Sequence, residues 1–353
     1  MASAVSAAED EVWSEQDTSP GAIEGAIRGL LAKRHKEAGT VAPARVLNMI
    51  VICDREYRGE IENRLKRVGR YHPSRTILCA VERRRTTMDA WVSMASQDQG
   101  PMMISRERVE LDVGPQHLVK LQTLVAPLVV PDLVTVVWAP HGHREAEDAL
   151  REMAQVVLID SLEDEVRPAL ERAASLEENL YVVDLAWLRS TPWRERVAAA
   201  FDPPQQRHDL WNIDSVTVRH RDDSVAPAAL FVGWLASRLK WTPSRLSSRG
   251  AALEGRVKAR RGDVKIVLEP VRADVPGLAG VTITSADGTS VALDRSPGGL
   301  REVRRERKGR DDSFTVMGAS RGEGGILGEG VRQALLRDKT FKPALAAARE
   351  LIG

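Results

Sequence analysis

The chain has 353 residues, enough for about two domains, and its 51 Lys and Arg against 50 Asp and Glu leave a net charge of +1. A hydrophobic fraction of 43% with 29% charged residues is that of an ordinary globular protein, which excludes a disordered or fibrous chain. The balanced charge argues against a coat for nucleic acid, and two cysteines exclude both a disulfide framework and a Cys-ligated zinc site.

Residues 1–20 are small, polar and acidic and read as a mobile N-terminal arm. They lack the basic and apolar regions of a signal peptide. Ile23, Ile27, Leu30 and Leu31 then share one face of a helix over 22–36, which Gly39 and Pro43 end. From there strands and helices alternate. Residues 46–53 form a short apolar run bounded by charge, the pattern of a strand buried on both faces, and 55–68 are helical. Strands follow at 76–81, 108–113, 134–138, 156–160 and 181–184, with helices predicted at 115–126 and 144–153. Ser161 is expected to cap a further helix carrying Glu163, Asp164 and Glu165 in its first turn, and Thr191-Pro192 to open another.

Buried parallel strands separated by helices predict an α/β fold: a doubly wound, mostly parallel sheet domain over 21–205. A boundary is expected at Phe201-Asp-Pro-Pro-Gln-Gln206, followed by a smaller α+β domain over 206–353. There, 215–220 alternates as a strand, and 224–241 is a helix apolar nearly all round. Strand pieces run from 264 to 316, with a hairpin turn at Ser285-Ala-Asp-Gly288, and helices close the chain at 330–338 and 342–351. The longest apolar stretch, 225–236, is too short for a bilayer and contains Pro227 and Gly233, so no membrane partner is expected.

Motifs for chemistry are few. Neither G-x-G-x-x-G nor G-x-x-x-x-G-K-[ST] follows a strand, and there is no G-x-S-x-G. The glycine-rich run from Gly322 to Gly330 is read as a connector, since Glu323 and Glu329 would oppose a phosphate. His141-Gly-His143 follows a strand end, where α/β proteins bind ligands, and Asp160 or Asp184 could supply a third metal ligand, but no H-E-x-x-H or comparable signature supports that and the segment is read as a loop and helix start. Cys53 and Cys79 are read as buried hydrophobes of a protein in the reducing cytoplasm. No catalytic residue, cofactor or metal is therefore assigned.

Two segments remain. Arg70-Tyr-His72-Pro-Ser74-Arg75-Thr76 is rich in donors, within a stretch (55–85) holding ten Arg or Lys against four Glu. Asp184-Leu-Ala-Trp187-Leu-Arg189-Ser-Thr-Pro-Trp193-Arg194 mixes the two residue types enriched at interface hot spots. Residues 145–178 are acidic, so the chain presents unlike charges suited to a partner of patchy charge.

These segments, with Arg45-Val-Leu-Asn-Met-Ile-Val-Ile52 and Val156-Val-Leu-Ile-Asp-Ser161, resemble the glucose-6-phosphate dehydrogenase assembly protein family, OpcA, from about 22 to 350. The 41 Arg against 10 Lys suit an actinobacterial member. The resemblance implies a non-enzymatic partner that binds glucose-6-phosphate dehydrogenase and promotes its active oligomer in the oxidative pentose phosphate pathway. His72, Ser74, Arg75, Trp187, Arg189, Trp193 and Arg194 are the expected contacts. An alternative is an enzyme or sensor holding a sugar phosphate on the turn from His72 to Arg75. A third, a nucleic-acid-binding regulator, rests on the six basic residues against two glutamates in 301–310 and has no recognition motif behind it.

Overall fold

A computed structural model of the chain describes residues 11–38, 45–68, 73–99, 102–306, 311–317 and 322–353. The chain divides into two compact units whose limits differ from the expected boundary at 205/206. The first comprises 1–159, 180–183 and 323–336, and the second 160–179, 184–322 and 337–353.

The first unit is built on one eight-stranded sheet. Its strands are β1 (Glu11–Glu15), β2 (Leu47–Asp54), β3 (Ser74–Val81), β4 (Asp89–Gln99), β5 (Met102–Val113), β6 (Val134–Trp138), β7 (Val156–Ile159) and β8 (Tyr181–Asp184). Their order is β1-β4-β5-β3-β2-β6-β7-β8. The apolar run of β2 lies at the sheet's centre, parallel to β3 from Leu47↔Ser74 to Asp54↔Val81 and parallel to β6 from Leu47↔Val134 to Val51↔Trp138. Burial on both faces explains why β2 reads as an unbroken hydrophobic stretch. Helices α1 (Pro20–Ala38), α2 (Arg58–Val68), α3 (Leu121–Val125) and α4 (Arg144–Ala149) follow the expected alternation, although the 115–126 helix is mostly short 3₁₀ turns.

Two features differ from expectation at the sheet edge. The 108–113 strand is the end of a longer hairpin, with β4 and β5 paired antiparallel from Asp89↔Asp112 to Gln99↔Met102. Glu11–Glu15, assigned to a mobile arm, is β1, paired antiparallel with β4 from Glu11↔Met94 to Glu15↔Ala90. The exposed strand of a hairpin offers unpaired backbone groups, and this segment satisfies them. Residues 1–10 lie outside the described residues.

The second unit holds α5 (Val166–Glu177), α6 (Leu185–Arg189), α7 (Thr191–Phe201), α8 (Val225–Leu239) and, after α9 (Gly322–Leu336), α10 (Phe341–Ile352). Its sheet contains β9 (Ile213–Arg221), β10 (Ser247–Arg249), β11 (Ala252–Ala259), β12 (Gly262–Val271), β13 (Leu278–Ser285), β14 (Ser290–Ser296), β15 (Gly299–Arg305) and β16 (Asp311–Met317). The order is β10-β11-β12-β9-β13-β14-β15-β16, antiparallel except for β12 and β9. The expected hairpin turn joins β13 to β14, with Gly288 at φ +92° and the Asp287 carboxylate accepting from Thr289 N at 2.9 Å. Helix α8 is buried on nearly every side, and Pro227 in its first turn costs no hydrogen bond. Gly233 lets α10 approach, since a Cβ there would lie 2.3 Å from Ala344 O. Among the described residues no helix is long and apolar enough to cross a membrane.

Ser161 does not cap a helix. Helix α5 starts at Val166 behind Glu165, and the Ser161 hydroxyl donates instead to Asp184. Thr191 is the first residue of α7 rather than its cap, which is Ser190.

Candidate functional site

The end of β8 organises a polar cluster in the second unit. Asp184, wholly buried, caps α6 by accepting from Ala186 N at 2.9 Å. It also accepts from Ser161 N at 3.1 Å and Ser161 Oγ at 2.5 Å. Burial, reinforced by the neighbouring Asp160, pushes the Asp184 carboxyl up to about 6 despite those donors. Asp160 in turn takes the Arg189 guanidinium in a two-pronged pair, both contacts at 2.8 Å.

One turn further on, the Trp187 indole donates to Asp338 at 2.9 Å. The Arg194 guanidinium lies 3.4 Å from the Trp187 ring centroid and donates to Thr191 Oγ1 at 2.8 Å, Ser190 Oγ at 3.2 Å and Trp187 O at 3.3 Å. Desolvation lowers Arg194 to about 10, opposed by Asp338. Arg295 lies 5.7 Å from the Trp193 ring. Of the sequence-predicted residues, Trp187 and Arg194 are in direct contact, Arg189 is taken by Asp160 and Trp193 lies beside Arg295; Trp187, Trp193 and Arg194 are interior and Arg189 is half-buried. Trp187 and Trp193 are each 2% exposed and Arg194 is 8% exposed. A side chain this covered cannot serve as a surface anchor in this conformation. The composition that marks an interface hot spot also marks a buried, charge-satisfied seam.

The other predicted segment lies in the first unit. His72 is outside the described residues. Ser74 opens β3, its hydroxyl 3.3 Å from Thr76 Oγ1. Arg75 is 6% exposed and spends its donors on Glu107, at 2.7 and 2.8 Å, and on Leu128 O at 2.9 Å. Glu107 also pairs with Arg45. Arg75 therefore holds β3 to β5 and has no fork to offer a phosphate.

A site that motif searching missed emerges from topology. Taken in chain order, the parallel strands of the first sheet run 3-2-1-4-5-6 (β5, β3, β2, β6, β7, β8), the dinucleotide-binding order. Ligands of such sheets sit beyond the strand C-termini where the order reverses, here between β2 and β6. The chain places Asp54-Arg-Glu-Tyr-Arg-Gly59 at that turn instead of a glycine-rich loop. Arg58 pairs there with Glu110, with Asp112 at 3.2 Å and with Glu62 at 2.9 Å, and Arg55 with Glu82 at 2.8 Å and Asp112 at 3.1 Å. Facing them after β6, His141 stacks on Tyr57 with ring centroids 4.0 Å apart, in a turn where His141 has φ +69° and Gly142 φ +96°. His143 Nε2 lies 3.3 Å from Asp54, and Nδ1 3.7 Å from Glu145. Among the described residues no group of three side chains is arranged to hold a metal.

Cys53 and Cys79 lie on the adjacent strands β2 and β3. Cys79 is paired with Ile52 and Cys53 with Ala80, so side-chain alternation sends the two thiols to opposite faces. Burial pushes both up to about 12.

Comparison with known families decides the kinship. The model described as glucose-6-phosphate dehydrogenase subunit N-terminal domain matches residues 66–175, and the one described as its C-terminal domain matches 180–345. The chain belongs to the OpcA family. A Synechococcus elongatus protein carrying the provisional name OxPP cycle protein OpcA is 28% identical over 200 residues, 54% of this chain and 45% of that protein. A protein of the same name from Synechocystis sp. is 29% identical over 157 residues, covering 43% and 33%. The chain thus matches less than half the length of these OpcA relatives. Among solved structures, a 3-ketoreductase from Actinomadura kijaniata aligns with a TM-score of 0.49 at 13% identity, covering 86% of this chain and 95% of that one. At this distance the likeness bears on neither activity nor ligand.

Proposed function

We propose that this chain is a non-catalytic cytoplasmic partner that binds glucose-6-phosphate dehydrogenase and favours its active oligomer in the oxidative pentose phosphate pathway. The observation carrying this reading is that both domain models of the dehydrogenase-subunit family match, in order, over most of the chain. The switch-point turn supports the non-catalytic part. It has dinucleotide-binding topology, but its cations are held by the chain's own carboxylates. The engaged donors of Arg75 weigh against the sugar-phosphate alternative.

An activator works by binding the active state of its target more tightly than the inactive one. The segment containing Trp187, Arg189, Trp193 and Arg194 enters this reading as the frame that fixes α6 and α7 for contact, with Ser74 and Arg75 holding β3 in the same supporting sense. The test is dehydrogenase activity with and without the chain, using the enzyme of the same organism, alongside a sizing run of the mixture. Activation with co-elution is expected. Equal affinity for every assembly state of the dehydrogenase, or no complex at all, would overturn the proposal.

A further inference from the structure

Tryptophan and arginine do stand side by side on the surface of the second unit, outside the segment in which the sequence suggested them. Of the eight tryptophans, all among the described residues, Trp211 alone is exposed. It is 46% exposed, which leaves on the order of 100 Å² of aromatic surface in water. Trp211 belongs to the 3₁₀ turn Arg207–Asn212, between α7 and β9. Side chains three apart eclipse in such a turn, so Asp209 and Asn212 share one face and His208 and Trp211 another. The first face is anchored. Asp209, 4% exposed, accepts from Arg304 at 2.8 Å. Asn212 accepts from Ala286 N at 2.8 Å through its backbone and from Arg261 at 2.7 Å through its side chain. The second face is turned to solvent, with the His208 side chain 66% exposed.

The Arg261 bond sets the tip of the β11–β12 hairpin, Arg260-Arg261, beside this turn. Both arginines are exposed. Among the described residues Arg260 has no hydrogen bond or ion pair, and Arg261 has only its bond to Asn212. Most of their donors are therefore unused. Two residues beyond the tip and the turn stand Asp263 and Asp214, both exposed. Acids so placed oppose a polyanion such as nucleic acid and suit a protein surface of mixed charge.

We propose that Trp211, flanked by Arg260 and Arg261, is the anchor by which the chain binds glucose-6-phosphate dehydrogenase, a contact that rests on the partner role proposed above. The indole enters an apolar pocket whose mouth offers carboxylates to the two guanidinium groups. Tryptophan and arginine are the side chains that dominate interface hot spots. The turn is held by its own bonds before any partner arrives, so binding has little order to impose. Every residue of the patch also falls within 180–345, the span matched by the C-terminal domain model of the dehydrogenase-subunit family.

Calorimetric titration of the full chain against the dehydrogenase of the same organism, at low and high salt, tests the assignment. Trp211→Ala is expected to keep the wild-type melting midpoint, because other residues hold the turn, and to weaken binding about thirtyfold or more. Arg260→Glu breaks no bond of the folded chain and is expected to weaken binding about tenfold at low salt and less at high salt. A folded Trp211→Ala that binds as the wild type does overturns the inference and leaves the partner role standing. Should Trp211→Ala melt early, wild-type binding by Arg260→Glu overturns it in the same way. A wild type that forms no complex overturns the partner role and this contact together. Loss of self-association by Trp211→Ala in sedimentation, with dehydrogenase binding kept, assigns the patch to a second copy and overturns the inference as well.

Discussion

Trp187→Phe separates an interior role from a contact role for the cluster on α6 and α7. The change keeps an aromatic ring beneath Arg194 and beside Phe341, whose centroid is 5.6 Å away, but removes the indole donor to Asp338. A hydrogen bond to a charged acceptor contributes about 1.5–3 kcal/mol. Asp338 keeps its bonds from Thr340 N at 2.8 Å and Thr340 Oγ1 at 2.6 Å, so it is not left bare. Weakening of the cation–π contact adds about 0.5–1 kcal/mol, and the smaller ring leaves a void. A total near 3 kcal/mol is expected, which lowers the melting midpoint by roughly 6–12 °C for a unit of this size. Calorimetry on the full chain reads the midpoint, and titration against the dehydrogenase at a temperature where the variant stays folded reads affinity. The interior reading requires a lowered midpoint with affinity close to wild type. An unchanged midpoint with affinity reduced tenfold or more would refute it and return Trp187 to the surface.

The remaining expectations concern protons, thiols and nucleotides. Burial raises the folded pKa of Asp184 from 3.8 to about 6, so the native state holds its proton more tightly and this group's stabilisation is lost as pH rises from about 4 to about 6. The effect is on the order of 3 kcal/mol, and Asp184→Asn, which can still accept from Ala186 N and Ser161 N, should flatten that part of the stability profile relative to wild type in denaturant titrations. An identical slope in the two proteins would contradict the assignment. Cys53 and Cys79 should stay silent to a thiol reagent in the native protein and react together on unfolding, because both are buried and pushed up to about 12. Activation of the dehydrogenase should then be insensitive to oxidation of this chain. Neither NADH nor NADPH at millimolar concentration should raise the melting midpoint, whereas a turn with open cations would show a mass-action shift.

The elements legible in the sequence were those whose burial pattern is uniform. Strands β2, β3 and β6 stand in apolar runs and helix α8 is apolar all round, and each appears within a few residues of its expected span. The β4–β5 hairpin was half missed, since Ser96, Gln97, Asp98 and Gln99 break the alternation a strand normally displays, and it is their pairing with Met102 to Ser105 that makes them a strand. Strand β1 was missed for the same reason: five mostly polar residues become a strand only because an edge awaits them. At the site, residue types were found but not their exposure. Tryptophan and arginine side by side look alike whether they face a partner or an interior carboxylate. The difference lay in Asp338 and Asp160, whose proximity sequence spacing does not reveal. The switch point went unrecognised because only the strand order, not any local motif, identifies it.

The internally paired turn after β2 bears on how the protein would behave in a metabolising cell. A dehydrogenase senses its nucleotide because binding energy is available at that position. Here Arg55 and Arg58 are already committed to Glu82, Glu110, Asp112 and Glu62, so a nucleotide would have to break those pairs to enter. The chain keeps the strand order of a dinucleotide-binding sheet around a turn whose cations are already paired, and would stay indifferent to the redox state of the nicotinamide pool. In the role proposed above, it would set how much active dehydrogenase exists independently of the cofactor ratio that the dehydrogenase itself alters.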